Sequence, residues 1–382
     1  DLRRVLGARA ENGSGGDGRE RGLEEMATVV HETWETNRFV ASYRVREADF
    51  AGNPAFAAGH CIHPMERCNI SAVTRPLTIW ILGDGKPGHE NQSLGLAEAI
   101  GRRTPVEIHR ISLVGKRGLL GRVRAALAAS GGFPKPDLIL AAGHATHPAL
   151  WWLSRKHSAR SVVLMKPSIP IGWFNLCIAP DHDFPDGGKH PNLVLTRGAL
   201  NRVTPGDDER SGKLILIGGP SKTHGWDGGA ILEMLAQSTD RGGWELSDSR
   251  RTPEGFLDEA RAKLSGVTVI SHRDTPPDWV PGKLAVAKEV WVTEDSVSMI
   301  YEALSGGAKV GLLPVPRLVG SSRVLQGVDR LIADGFVTPF ERWRETQRIA
   351  APPELLREAD RCAGILLNEF KLQLAHGRQA EA

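Results

Sequence analysis

WVTEDSVSMIYEALSGGAKVGLLP, residues 291–314, contains one full α/β unit. WVT reads as the end of a buried strand, EDS as a polar turn, VSMIYEALS as a helix, the glycine pair as its stop, and KVGLLP as the next strand. Within the helix, Val297, Ile300, Tyr301 and Leu304 follow the i, i+3, i+4, i+7 rule and should face a core. Asp295, Ser298 and Glu302 lie on another face at the same spacing. A polar helix face is ordinarily a solvated one. This face begins at the carboxyl end of a buried strand, where open α/β sheets bind ligands.

The same alternation extends outward from this unit. From Leu77, the runs LTIWILG (77–83), VEIHRISL, DLILAAG (137–143), SVVLMKP (161–167), NLCIAP (175–180) and NLVLTRG (192–198) read as short buried strands, with helical patterns such as LGLAEAI and HPALWWLSRK between them. NRVTPGDDERSG (201–212) has the composition of a linker. The pattern then restarts with KLILIGG (213–219), GGAILEMLAQ, GWELSDS, PEGFLDEARAKL (253–264), VTVIS and EVWVTED. Strands alternating with helices imply βαβ units and parallel sheets. The expected fold is α/β, with two Rossmann-like domains facing each other across a cleft. One spans 77–205, the other 213–350, and a C-terminal helix and tail (351–382) could pack on either.

Residues 1–76 look different. GARAENGSGGDGRERG is charged and glycine-rich with no periodic apolar face, so a disordered or non-native extension is expected there, with Met65 as the natural start. The segment is too acidic for a mitochondrial transit peptide and has no apolar core for secretion. Cys61 and Cys68 lie near His60 and His63, but scattered residues in a tail explain them better than a metal site. The four cysteines form no CxxC pair and no disulfide framework, which fits a reducing, cytoplasmic location. A net charge of +3 on 382 residues gives no argument for nucleic acid, and no apolar run reaches the length of a membrane-spanning helix. GKRGLLGRVRAALAAS (115–130) sets basic residues beside a Leu/Val/Ala face. It reads first as an ordinary surface helix, and alternatively as one that touches a membrane or acceptor.

Each half opens with the same device: a strand, a glycine-rich turn and a helix. The turns are GDGKPGHENQS (83–93), with Gly83, Asp84, Lys86, Gly88 and His89, and GGPSKTHGWD (218–227), with Gly218, Gly219, Ser221, Lys222 and His224. Glycines admit a ligand close to the backbone, and a helix start presents free N–H groups to anions. A tight turn without a ligand is the plainer account of either one alone. Neither is a GxGxxG or GxxxxGK[ST] sequence, so neither a nicotinamide cofactor nor ATP hydrolysis is indicated. SDSRRTP (247–253) brings Arg250 and Arg251 to a third strand end, where guanidinium suits phosphate or carboxylate. In the first half, His144 and His147 follow one strand and Asp181, His182 and Asp183 another, so a general base could come from PDHD or from His89. No metal ligand set is evident. Thr293 and Ser296 are candidate caps of the 297–305 helix, and Glu302 is the residue on it best placed to accept two hydrogen bonds from a vicinal diol.

Taken in order, GDGKPGHENQSLGLAEAI, DLILAAG, IAPDHD, NLVLTRGALNRV, LIGGPSK, SRRTP and VTEDSVSMIYEA resemble the bacterial branch of the plant elongated-mitochondria fission-protein family over about residues 77–315. That family is similar in turn to GT-B fold glycosyltransferases, including the enzyme that adds N-acetylglucosamine to the lipid-linked peptidoglycan precursor. The resemblance implies an acceptor side in the first half and a nucleotide side in the second. Gly83–His89 looks like the transferase's first glycine loop, Gly218–Ser221 like its second, and Glu302 like its ribose-binding glutamate. The acidic pair Glu294–Asp295 departs from the transferase's more basic turn.

The expected function is therefore a metal-independent, glycosyltransferase-like protein that binds a nucleotide-activated sugar as substrate, with no cofactor, and passes the sugar to an unknown acceptor. His89 and Asp181 are its candidate catalytic residues. Gly218, Gly219, Ser221, Lys222, Arg250, Arg251, Ser296, Ser298 and Glu302 would hold the nucleotide. Gly83, Asp84, Lys86, Gly88 and His144 would line the acceptor side. A nucleotide-sugar epimerase or hydrolase and a non-catalytic adaptor are the alternatives. A peripheral membrane contact stays open, as does the oligomeric state.

Overall fold

The computed structural model describes residues 75–371, apart from positions 117, 185, 208, 240, 241 and 321. The expected extension, Met65 and the Cys61–Cys68 stretch lie outside the described residues. The first sheet contains β1 (Leu77–Gly83), β2 (Val106–Ser112), β3 (Leu138–Ala142), β4 (Arg160–Leu164), β5 (Leu176–Pro180) and β6 (Leu193–Thr196), in the order β2-β1-β3-β4-β5-β6. The second contains β7 (Gly212–Leu216), β8 (Trp244–Ser247), β9 (Val267–Ile270), β10 (Ala287–Thr293), β11 (Lys309–Leu313) and β12 (Val337–Pro339), in the order β12-β11-β10-β7-β8-β9. Every strand pairing is parallel. The two sheets are doubly wound and Rossmann-like, as the strand runs imply.

Parallel strands of this kind need both faces covered. In β1, Ile79 and Ile81 join the core under α1 (Pro87–Gly101), while Trp80 and Leu82 join the core under α2 (Gly118–Ala129) and α3 (His147–His157). In the second half, Val290 and Val292 face α7 (Val297–Ser305) and α8 (Arg323–Ala333). Trp291 faces α4 (Gly228–Ser238) and α9 (Phe340–Thr346). Burying each such side chain contributes roughly 1.5–3 kcal/mol. Two further helices, α5 (Phe256–Lys263) and α6 (Trp279–Val286), complete the second half. The last helix, α10 (Glu358–Glu369), crosses back: Cys362, Ala363, Leu366 and Leu367 enter the core of the first half. No helix among the described residues is long and apolar enough to cross a membrane.

The linker composition of 201–212 does not make that stretch a loose tether. Arg202 pairs with Glu98 of the first half and Asp278 of the second, each at 2.8 Å. Asn201 Nδ2 donates to Ser305 Oγ at 3.0 Å. Beside it, Gly198 has φ +82°, and a Cβ there would lie 2.3 Å from the Tyr301 ring. The seam between the halves is therefore built around an absent side chain. Gly198→Ala is expected to lower stability by about 1–3 kcal/mol, from left-handed backbone strain and the clash with Tyr301. Chemical denaturation would measure this.

Candidate functional site

In a doubly wound sheet, ligands bind beyond the carboxyl ends of the strands where the strand order reverses. Here those points lie between β1 and β3 in the first sheet and between β7 and β10 in the second. Each is lined by turns that the sequence marks.

At the first point, the β1 turn brings Asp84 and His89 together: His89 Nδ1 lies 2.9 Å from Asp84 Oδ2. Asp84 Oδ1 also accepts from the Lys86 amide at 3.2 Å, which fixes the carboxylate. A carboxylate on Nδ1 sets the imidazole tautomer and leaves Nε2 available for proton transfer. Gly143, after β3, has φ +87°, and a Cβ there would lie 2.3 Å from His89 Nδ1, so glycine is what lets β3 and this pair approach. A Cβ on Gly83 would meet Glu90 Oε1 at 2.7 Å, the end of a side chain that can move aside. Gly88 differs: it is exposed and nothing lies within 4 Å of a Cβ there. Lys86 and His144 are exposed. The His144 ring sits 5.5 Å from that of buried His147, whose own ring is within 3.3 Å of Ser168 Oγ. Burial, with His144 and His89 nearby, pushes His147 down to about 4.

Asp181, the other candidate base, is placed differently. Its Oδ2 accepts from Arg330 Nη1 of α8 at 3.0 Å, tying the end of β5 to the second half. Asp181 therefore carries an arginine partner at the seam between the halves.

At the second point, the backbone amides of the glycine turn are already used. The Gly218 amide donates to Thr293 Oγ1 at 2.7 Å, the Gly219 amide to Asp295 Oδ2 at 2.9 Å and the Ser221 amide to the His224 carbonyl at 2.9 Å. Ser221 Oγ in turn accepts from the amides of Thr223 and His224. This corrects the expectation that Gly218, Gly219 and Ser221 cradle a diphosphate. The glycines are there because a Cβ on Gly218 would meet Asp295 Oδ2 at 2.1 Å and one on Gly219 would meet the Arg251 carbonyl at the same distance. Arg251 is also held, by Asp295 Oδ2 at 2.7 Å and by the carbonyls of Gly219 and Pro220. Arg250 and Lys222 are exposed and remain as cations able to meet a ligand.

The acidic turn carries its own counter-charges. Asp295 has Arg251, and Glu294 is bound by Arg317, whose Nε lies 2.8 Å away. Ser296, buried at the start of α7, does not cap the helix with its side chain. The first amides of α7, at Val297, Ser298 and Met299, have no intrahelical acceptor and point toward the strand ends. Ser298 is exposed. Two polar atoms here are buried without a partner among the described residues: Asp295 Oδ1 and His224 Nε2. Glu302, half-buried one helical turn beyond Ser298, makes no ion pair or hydrogen bond with a described residue, and burial alone pushes its carboxyl up to about 7. Sequence reading missed Arg317 and Arg330, which lie far along the chain from the acids they neutralise.

The Glu302 carboxyl holds its proton more tightly folded than unfolded, so its contribution to stability is present below about pH 4.5 and is lost as pH rises through about 7. Glu302→Gln is expected to abolish that slope and to be the more stable form at pH 8. Denaturation midpoints of both proteins between pH 4 and 8 would test this.

The family model described as mitochondrial fission ELM1 matches residues 87–370. Uncharacterized protein RP120 of Rickettsia prowazekii (strain Madrid E) is 24% identical over 295 residues, covering 60% of this chain and 81% of the relative. Among solved structures, UDP-GlcNAc 2-epimerase from Methanocaldococcus jannaschii aligns with TM-score 0.49 at 11% identity, over 77% of this chain and 100% of its own. MurG from Acinetobacter baumannii aligns with TM-score 0.45 at 12% identity, over 78% and 100%. The chain belongs to the mitochondrial fission ELM1 family.

Proposed function

We propose that this member of the mitochondrial fission ELM1 family is glycosyltransferase-like, binding a nucleotide-activated sugar between its halves and transferring the sugar to an acceptor held by the first half. Glu302 carries the reading. A half-buried carboxylate without a protein partner raises the free energy of the empty protein, and a ligand that supplies hydroxyl donors relieves it. A ribose diol supplies two. The open amides of α7 would face the diphosphate, with Lys222 and Arg250 adding positive charge. Asp295 Oδ1 and His224 Nε2 are further unsatisfied groups for the ligand to meet.

Across the cleft, His89 Nε2 would take the proton of the acceptor hydroxyl as its oxygen bonds to the anomeric carbon. The bond from that carbon to the diphosphate breaks, and the nucleoside diphosphate leaves with the electron pair. Asp84 holds the imidazole and stabilises its cation.

Calorimetry with UDP, UDP-N-acetylglucosamine and other nucleotide sugars tests the proposal. At least one should bind, and Glu302→Ala should weaken it about tenfold or more. His89→Ala should retain nucleotide binding and lose transfer. A panel without a binder, or unchanged affinity in Glu302→Ala, would contradict the proposal. A product formed without acceptor would redirect it to epimerisation or hydrolysis of the same donor.

A further inference from the structure

The outer face of the first half, built from α2, α3 and the turn at Trp173, has two properties not explained by folding. The first is apolar exposure. Of twelve residues in α2, Ala126 alone is buried. Val114, Leu119, Leu120, Trp152 and Trp173 are five of the eight exposed large apolar side chains among the described residues, and Leu120 is 69% exposed. Helices α2 and α3 pack side by side. Between them Leu127, Trp151, Trp152, Arg155 and Lys156 line an open groove. The Trp151 and Trp173 rings are 5.7 Å apart, with the Arg155 guanidinium 4.1 Å over Trp151. The exposed apolar groups therefore lie on one side of the domain.

The second property is charge. Between Glu107 and Asp181 the chain has one acidic residue, Asp137, against ten lysines and arginines, while the whole protein is only +3. Asp137 is itself held by Arg75 at 2.6 Å. Lys116, Arg124, Arg155 and Lys156 are exposed around the apolar side chains.

We propose that this face docks on a bilayer containing anionic lipid. Projecting leucines and tryptophans ringed by cations match an interface where apolar groups enter the acyl boundary and cations meet headgroups. A second copy meeting this face with its own would set like charge against like charge. The position also matters. Val114 packs against the turn that holds Asp84 and His89, since a Cβ on Gly85 would lie 2.7 Å from it. The His147 ring meets Phe174, next to Trp173, at 5.8 Å. Docking here would bring the mouth of the first-half site to the membrane surface. The docking stands apart from the proposed transfer, and vesicle binding tests it whether or not a nucleotide binds.

The experiment is co-sedimentation of the full chain with phosphatidylcholine vesicles and with vesicles in which roughly a third of the lipid is phosphatidylglycerol. Binding to the anionic vesicles is expected, weakened by high salt. Leu119→Ser/Leu120→Ser and Arg124→Glu/Lys156→Glu should each reduce it about tenfold or more while circular dichroism shows the native fold. The proposal is overturned if anionic vesicles do not bind the protein, if neutral vesicles bind it equally, or if folded variants bind like the parent. Light scattering that finds a dimer dissolved by both variants would overturn it too, by assigning the face to a second copy.

Discussion

The Asp295 carboxylate lies inside the protein at the point where the second sheet reverses its strand order, and three loops are fixed to it. Its Oδ2 accepts the Gly219 amide from the β7 loop and the Arg251 guanidinium from the β8 loop, while its own backbone belongs to the β10 loop. A buried carboxylate is tolerated only when its charge is met in this way. The arrangement then dictates its surroundings: glycine at 218 and 219, the orientation of the β8 turn, and the start of α7. It leaves Oδ1 without a donor at the same place.

With that knot in place, the two halves offer complementary chemistry. The first presents an imidazole held by a carboxylate. The second presents open helix amides, two exposed cations and an unpaired acid. Asp181–Arg330, Arg202 with its two acids, and the close fit of Tyr301 over Gly198 hold the halves in register. The return of α10 to the first core means that the second half is framed by segments bound to the first. Relative motion of the halves would have to strain these contacts.

Strands such as β1, β3 and β5 were legible because each is a short apolar run buried on both faces, and the two-part division followed from the repeat. The short β12, and helices α6, α8 and α9, were not read. Their burial depends on neighbours that local periodicity does not reveal. Individual residues divided along the same line. Asp84 and His89 are five residues apart, and their turn brings them together. Asp181 is joined to Arg330, a partner 149 residues away that local spacing does not reveal. Gly218 and Gly219 looked like a phosphate cradle because their acceptors lie 75 and 76 residues on. Spacing indicated where the polar groups gather, and only the packing indicated which of them are already used.

That the two strand-order reversals work as one ligand site is the central claim, and hydrogen–deuterium exchange of the full chain with and without the nucleotide sugar that binds in calorimetry addresses it most directly. The account predicts slowed exchange in both the 84–90 turn and the first turn of the 297–305 helix when ligand is present. Protection confined to one half, or no protection in either, would contradict it.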